Sequence, residues 1–166
     1  GLDFGYGGKD KTSLIRIRYY DKKYYIKQIF SKSKLKLNET IELMKAKIPI
    51  NARIYADSAM PLLITEIKEG GFRSLRKCKK GNVEAGIKKV QNKDIVFEGD
   101  DNSIEESELY FSYMTFNRDR LDRLPHEPDE LAALRYGINS KNPIDYKKSD
   151  SQEYVYRRKI TGKYSN

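Results

Sequence analysis

The sequence predicts an α/β domain: a mixed β-sheet, its first three strands antiparallel and its later strands parallel, with helices on both faces. Three observations predict it. Residues 1–30 hold three strand-like runs separated only by turns. From residue 38 onward, helical apolar periodicity alternates with short apolar runs. At 166 residues, the chain is long enough for one domain with its own core.

Residues 1–7 read as a strand that ends in a glycine-rich turn, and residues 13–20 and 24–30 as the next two strands, joined by Asp21-Lys22-Lys23. Asn38 is expected to cap a helix with Ile41, Met44 and Ile48 on its apolar side, stopping before Pro49. Residues 53–56 then form a fourth strand, parallel to the first across that helix. Asp57 or Ser58 is expected to cap a second helix with Pro61 in its first turn, ended by Gly70-Gly71. Residues 72–75 suit a short fifth strand. Asn82 caps a helix through about Gln91, residues 95–97 are a further strand, and Ser103 caps a helix with Ile104, Tyr110, Phe111 and Met114 inward. Residues 115–127 are polar and irregular. Pro128-Asp129-Glu130 opens a final helix with Leu131, Leu134 and Ile138 in one stripe and Asp129, Ala132, Ala133 and Tyr136 on another face. Residues 1–140 therefore read as the folded domain. Residues 141–166, with Lys147, Lys148, Arg157, Arg158 and Lys159, read as a basic tail that is flexible or ordered by a partner. The chain opens directly on a strand, as expected of a domain cut from a longer polypeptide.

Composition narrows the chemistry. Formal net charge is +9 and the pI about 9.4, which favours a polyanionic partner, nucleic acid first. A single cysteine, Cys78, and a single histidine, His126, exclude an internal disulfide and a zinc site of the usual Cys/His kind. No apolar run approaches the ~20 residues of a membrane span, and no signal peptide is visible. Gly8-Lys9 lacks the preceding glycine of a phosphate loop, and Asp10 stands where that loop needs Ser or Thr, so no nucleotide site is expected there.

Asp3 lies inside an apolar strand, where a carboxylate is costly unless paired. Asp57 ends a second apolar run, at the carboxyl end of its strand, where open α/β sheets place their sites. With the first and fourth strands as neighbours, the two acids point to one place. The final helix can bring Asp129 to the same face, because Ala132 and Ala133 let its backbone approach the sheet. A turn or N-cap role explains Asp57 or Asp129 singly. It does not explain Asp3, which precedes its turn. Converging carboxylates suit Mg²⁺ or Mn²⁺, and phosphodiester hydrolysis in which two ions ~3.5–4 Å apart stabilise the attacking and leaving oxygens. Arg73, Arg76, Lys77, Lys79, Lys80, Lys88 and Lys89 form a basic stretch, interrupted only by Glu84, fit to hold a phosphate backbone without reading sequence.

Gly1-Leu2-Asp3-Phe4-Gly5-Tyr6, Tyr55-Ala56-Asp57-Ser58-Ala59, Gly71-Phe72, Lys80-Gly81 and Ala133-Leu134-Arg135-Tyr136 occur in an order and spacing that resemble the C-terminal nuclease domain of the large terminase subunit of tailed double-stranded DNA bacteriophages. The resemblance covers roughly residues 1–138. It implies a ribonuclease H-like fold and metal-dependent cleavage of concatemeric viral DNA during packaging. It also implies an upstream ATPase domain, a portal protein and a small terminase subunit as partners, and action in the infected cell's cytoplasm at the procapsid portal. Asp3 and Asp57 match the family's first two aspartates. Relatives carry an Asp-His pair and a further aspartate before Ala-Leu-Arg-Tyr, where this chain has Pro128, Asp129 and Ala132. Asp129 is therefore assigned as third ligand, Glu130 as reserve, and Asp122 as a weaker candidate. A non-catalytic DNA-binding module and a resolvase-like nuclease of the same fold are the alternatives.

Overall fold

The structure is a computed structural model that describes residues 1–5, 10–79, 81–99, 101–118, 127–140 and 157–160. Strands β1 (Leu2–Asp3), β2 (Lys11–Tyr20) and β3 (Lys23–Ser33) form the antiparallel meander. Helix α1 (Leu37–Lys47) leads to β4 (Ile54–Ala56), which pairs in parallel with β1, Leu2 opposite Ala56. Helix α2 (Pro61–Glu69) leads to β5 (Leu75–Lys77), parallel to β4 at the sheet edge. Helix α3 (Val83–Gln91) precedes β6 (Ile95–Glu98), which pairs in parallel with β3 at the far side. Helices α4 (Asp101–Glu105), α5 (Glu108–Arg118) and α6 (Asp129–Ser140) follow, and β7 (Arg157–Ile160) lies antiparallel to β6. The sheet order is β5-β4-β1-β2-β3-β6-β7.

Alternation along the strands splits the core into two layers. Ile15, Tyr24, Ile26, Ile95 and Phe97 face one side, against Ile87 and Val90 of α3, Leu109 and Tyr113 of α5, and Leu131, Ala133, Leu134 and Ile138 of α6. Leu2, Leu14, Phe30, Ile54, Ala56 and Leu75 face the other, against Met44 of α1 and Ile64 and Ile67 of α2. The register steps from Leu14 opposite Phe30 to Ile15 opposite Gln28, so β3 carries an extra residue, Ile29, which lets Ile26 and Phe30, four residues apart, serve opposite layers.

Several local expectations change. The first strand is two residues long, so Asp3 ends it rather than sitting at its middle. The α1 N-cap is Lys36, not Asn38: the Glu39 carboxylate accepts from the Lys36 N–H at 2.8 Å, satisfying that donor. Pro61 starts α2 directly after Met60, and Asp57 instead caps its own turn by accepting from the Ala59 N–H. Residues 72–74 are a turn, tied back by the Phe72 N–H to the Ile67 carbonyl, so the fifth strand starts at Leu75. The helix expected after Ser103 is two helices, broken at Glu106-Ser107; the first starts at Asp101, so Ser103 lies inside it and not at its cap, and Phe111, expected inward, is exposed. Of the tail, only 157–160 is described; the expectation for the rest lies outside the described residues.

Candidate metal and DNA site

Three elements deliver the carboxylates. β1 ends on Asp3. β4 ends one residue before Asp57, whose N–H donates to the Leu2 carbonyl at 3.2 Å and so extends the β1–β4 ladder past Ala56. The first turn of α6 carries Asp129, and α6 lies close over β1 because Ala133 is fully buried there and Gly137 leaves no side chain to meet Ile17. A Cβ on Gly137 would come within 2.3 Å of the Ile17 Cδ1. The small-residue approach runs through Ala133 and Gly137, while Ala132 packs with Cys78 and Tyr136.

Each aspartate is fixed by one backbone N–H to one of its oxygens. Phe4 donates to Asp3 Oδ1 at 3.0 Å, Ala59 to Asp57 Oδ1 at 2.9 Å, and Lys11 to Asp129 Oδ2 at 2.6 Å. Burial, followed by the negative charges of Asp129, Asp57 and Glu127, pushes the Asp3 carboxyl up from 3.8 to about 8, against the Phe4 hydrogen bond. Burial, and then the charges of Asp3 and Asp57, also push the Tyr136 phenol well above its ordinary value, which puts this tyrosine within the field of the same acids. Among the described residues, no three carboxylates yet stand close enough to ligate one ion. Mutual repulsion of unneutralised acids opposes closer approach. A hard dication suits a cluster of oxygen donors with excess negative charge and one neutralised acid at its centre.

Glu130 turns the other way: it is buried and accepts a hydrogen bond from the Ser112 hydroxyl of α5, and its charge is not among those acting on Asp3. Glu127 is the acid that joins the cluster instead. It is held by Arg135, whose Nε donates to both Glu127 oxygens at 2.8 and 3.0 Å and whose Nη2 donates at 2.5 Å. The Arg135 guanidinium in turn stacks over the Tyr136 ring at 4.8 Å. Glu127 lies in a stretch with no periodicity, and nothing in the sequence singles it out. Asp122 and His126 lie outside the described residues.

Of the basic set, Arg73, Arg76, Lys77 and Lys79 are exposed. Lys77 is opposite Ala56 in the β4–β5 register, so this edge flanks the end of the sheet that carries Asp57. Lys88 and Lys89 are exposed on α3, where Lys88 pairs with Glu84 at 2.7 Å. Helix α3 packs beside α6, the Asn139 amide donating to the Gly86 carbonyl at 3.3 Å. Lys80 lies outside the described residues.

The fold matches the crystal structure of the g2p large terminase nuclease domain from bacteriophage SPP1 with bound Mn. The TM-score is 0.64 and the identity 28%, over 82% of this chain and 81% of that one. This chain has the architecture of a large-terminase nuclease domain. The ribonuclease H-like sheet expected from the resemblance is the one observed, and the terminase-nuclease match spans most of both chains. Neither a protein-family model nor a curated protein sequence matches the chain. No helix among the described residues is long and apolar enough to cross a membrane.

Proposed function

We propose that this terminase-type nuclease domain is a Mg²⁺- or Mn²⁺-dependent endonuclease that cuts concatemeric double-stranded viral DNA during packaging, with little sequence preference. The observation that supports it most is the delivery of Asp3, Asp57 and Asp129 to one end of the sheet, in a fold that matches a Mn-bound terminase nuclease. Asp3, Asp57 and Asp129 hold two divalent ions, with Glu127 a further acid whose charge acts on Asp3. Such ions neutralise charge on a phosphodiester and acidify the attacking water. Arg73, Arg76, Lys77 and Lys79 hold the DNA backbone beside that end, with Lys80, Lys88 and Lys89 extending the basic surface. An upstream ATPase domain, the portal protein and the small terminase subunit are the partners this role requires, at the procapsid in the host cytoplasm.

Asp3→Ala or Asp57→Ala abolishes Mn²⁺-dependent plasmid nicking while circular dichroism shows the fold retained. Cleavage surviving in both variants overturns the assignment. One observation favours a non-catalytic DNA-binding module instead: Ala132, where the resemblance implies a further acid, is buried against Cys78 and Tyr136 and offers no ligand. Calorimetric titration with Mn²⁺ separates the two, since a non-catalytic module binds the ion weakly with or without Asp57.

A further inference from the structure

The half of the sheet away from the carboxylates carries a charged surface that the proposed chemistry does not use. Ile15, Ile17 and Tyr19 point into the layer under α3, α5 and α6, so Arg16, Arg18 and Tyr20 point to the opposite face. On β3, Tyr25 and Lys27 share that face by the same alternation, with Arg16 opposite Lys27 and Arg18 opposite Tyr25. The apolar layer under α1 and α2 takes its β2 member from Leu14 and includes none of these residues. Glu98 of β6 reaches across β3 and accepts from both arginines, at 3.1 Å from Arg16 Nη2 and from Arg18 Nη2 as well. Its side chain is 1% exposed, whereas those of Arg16 and Arg18 are 43% and 38% exposed.

One buried carboxylate thus orients two guanidiniums that remain accessible, and Lys27 is exposed beside them. Each arginine serves one Glu98 oxygen, so the pair satisfies the buried acid, and Lys27 adds a cation that Glu98 does not require. Three cations on neighbouring positions against one acid carry like-charge repulsion that folding alone does not require. Their backbone positions are about 7 Å apart along β2 and about 5 Å apart across to β3, and both guanidiniums meet on the Glu98 carboxylate, so the charges form one fixed cluster on this face. Tyr20 and Tyr25 stack at 4.9 Å and extend the cluster as a rigid shelf. Asp3 pairs with Ser13, so Arg18 lies about 17 Å further along β2, away from the carboxylates.

We infer that Arg16, Arg18 and Lys27 form a second duplex-DNA backbone contact, separate from the carboxylate end. This rests on the DNA-cleaving reading above. Charge complementarity selects the partner: two half-exposed guanidiniums fixed by one acid, with an exposed lysine beside them, leave a net positive surface suited to a phosphate backbone.

The test measures fluorescence anisotropy of a labelled 30-base-pair duplex with the full chain in EDTA, across a salt series. The variants are Arg16→Gln/Lys27→Gln, which keeps the Arg18–Glu98 pair, Lys27→Gln alone, and Arg76→Gln/Lys77→Gln. The double variant at Arg16 and Lys27 lowers the log–log salt slope by about 2, and weakens binding at ~0.1 M salt by tens of fold. Lys27→Gln alone lowers the slope by about 1, and Mn²⁺ affinity is unchanged in both. If the wild type binds, and Arg76→Gln/Lys77→Gln weakens binding while the Arg16 and Lys27 variants do not, this contact is refuted and the nuclease reading stands. If the wild type binds no duplex, both fail. If the Arg16 and Lys27 variants lose affinity for polyglutamate but not for DNA, the surface serves an acidic protein instead and the inference is overturned.

Discussion

Replacing Asp3 with asparagine stabilises the metal-free protein. Asp3 is 9% exposed, and its carboxyl is pushed up to about 8 by burial and by Asp129, Asp57 and Glu127. In the unfolded chain it titrates near ~3.9. A carboxyl whose folded value is raised contributes stability that is complete below ~4 and is lost as pH rises toward about 8. At pH 7 roughly three of the four pH units of that window have been crossed, which corresponds to about 4 kcal/mol at ~1.4 kcal/mol per unit. Asparagine keeps the acceptor for the Phe4 N–H and carries no charge. Asp3→Asn therefore raises Tm in EDTA at pH 7 by roughly 10 °C, given ~2–4 °C per kcal/mol at this size. The gain vanishes at pH 4. The assay is differential scanning calorimetry from pH 4 to 8.5. An Asn variant that is no more stable than the wild type at pH 7 to 8 refutes a buried, like-charged carboxylate at this position.

Two further outcomes follow from the same geometry. Mn²⁺ must displace the Asp3 proton, so apparent Mn²⁺ affinity rises with pH from pH 6 toward 8, by up to about tenfold per pH unit, and calorimetry in buffers of different ionisation enthalpy shows net proton release, approaching one per binding event, at pH 7. The Arg135–Glu127 pair is about 90% buried at both side chains, so Arg135→Gln or Glu127→Gln costs about 3–5 kcal/mol in urea denaturation, and the double variant costs less than the sum of the two.

The layered architecture was legible in the sequence because it rests on periodicity. The alternation of β2, the apolar stripe of α6, and Ile87 and Val90 of α3 place their residues in the core as read, whereas Val83 at the start of α3 is exposed, and the β1–β4 neighbourhood follows from a helical crossover. What escaped depends on partners distant in sequence or hidden in irregular chain. Glu98 follows three apolar residues and looks like a strand end; among the described ion pairs, arginines two strands away satisfy it where it is buried. Glu127 gains meaning from Arg135, eight residues on, and from Asp3 at the other end of the chain. Glu130 sits beside Asp129 in sequence, but helical geometry turns successive residues about 100° apart and sends it to Ser112. Helix α1 starts earlier than read: Lys36 is its N-cap, with its N–H held by the Glu39 carboxylate, so Asn38 already lies in the first turn.

The most direct measurement is anomalous diffraction at the manganese edge from crystals soaked in Mn²⁺. The expected result is a peak, or a pair ~3.5–4 Å apart, bounded by Asp3, Asp57 and Asp129, with the three side chains drawn together around it. Saturating Mn²⁺ that binds elsewhere on the domain, or leaves those three aspartates without density between them, contradicts the assignment of this end of the sheet as the metal site.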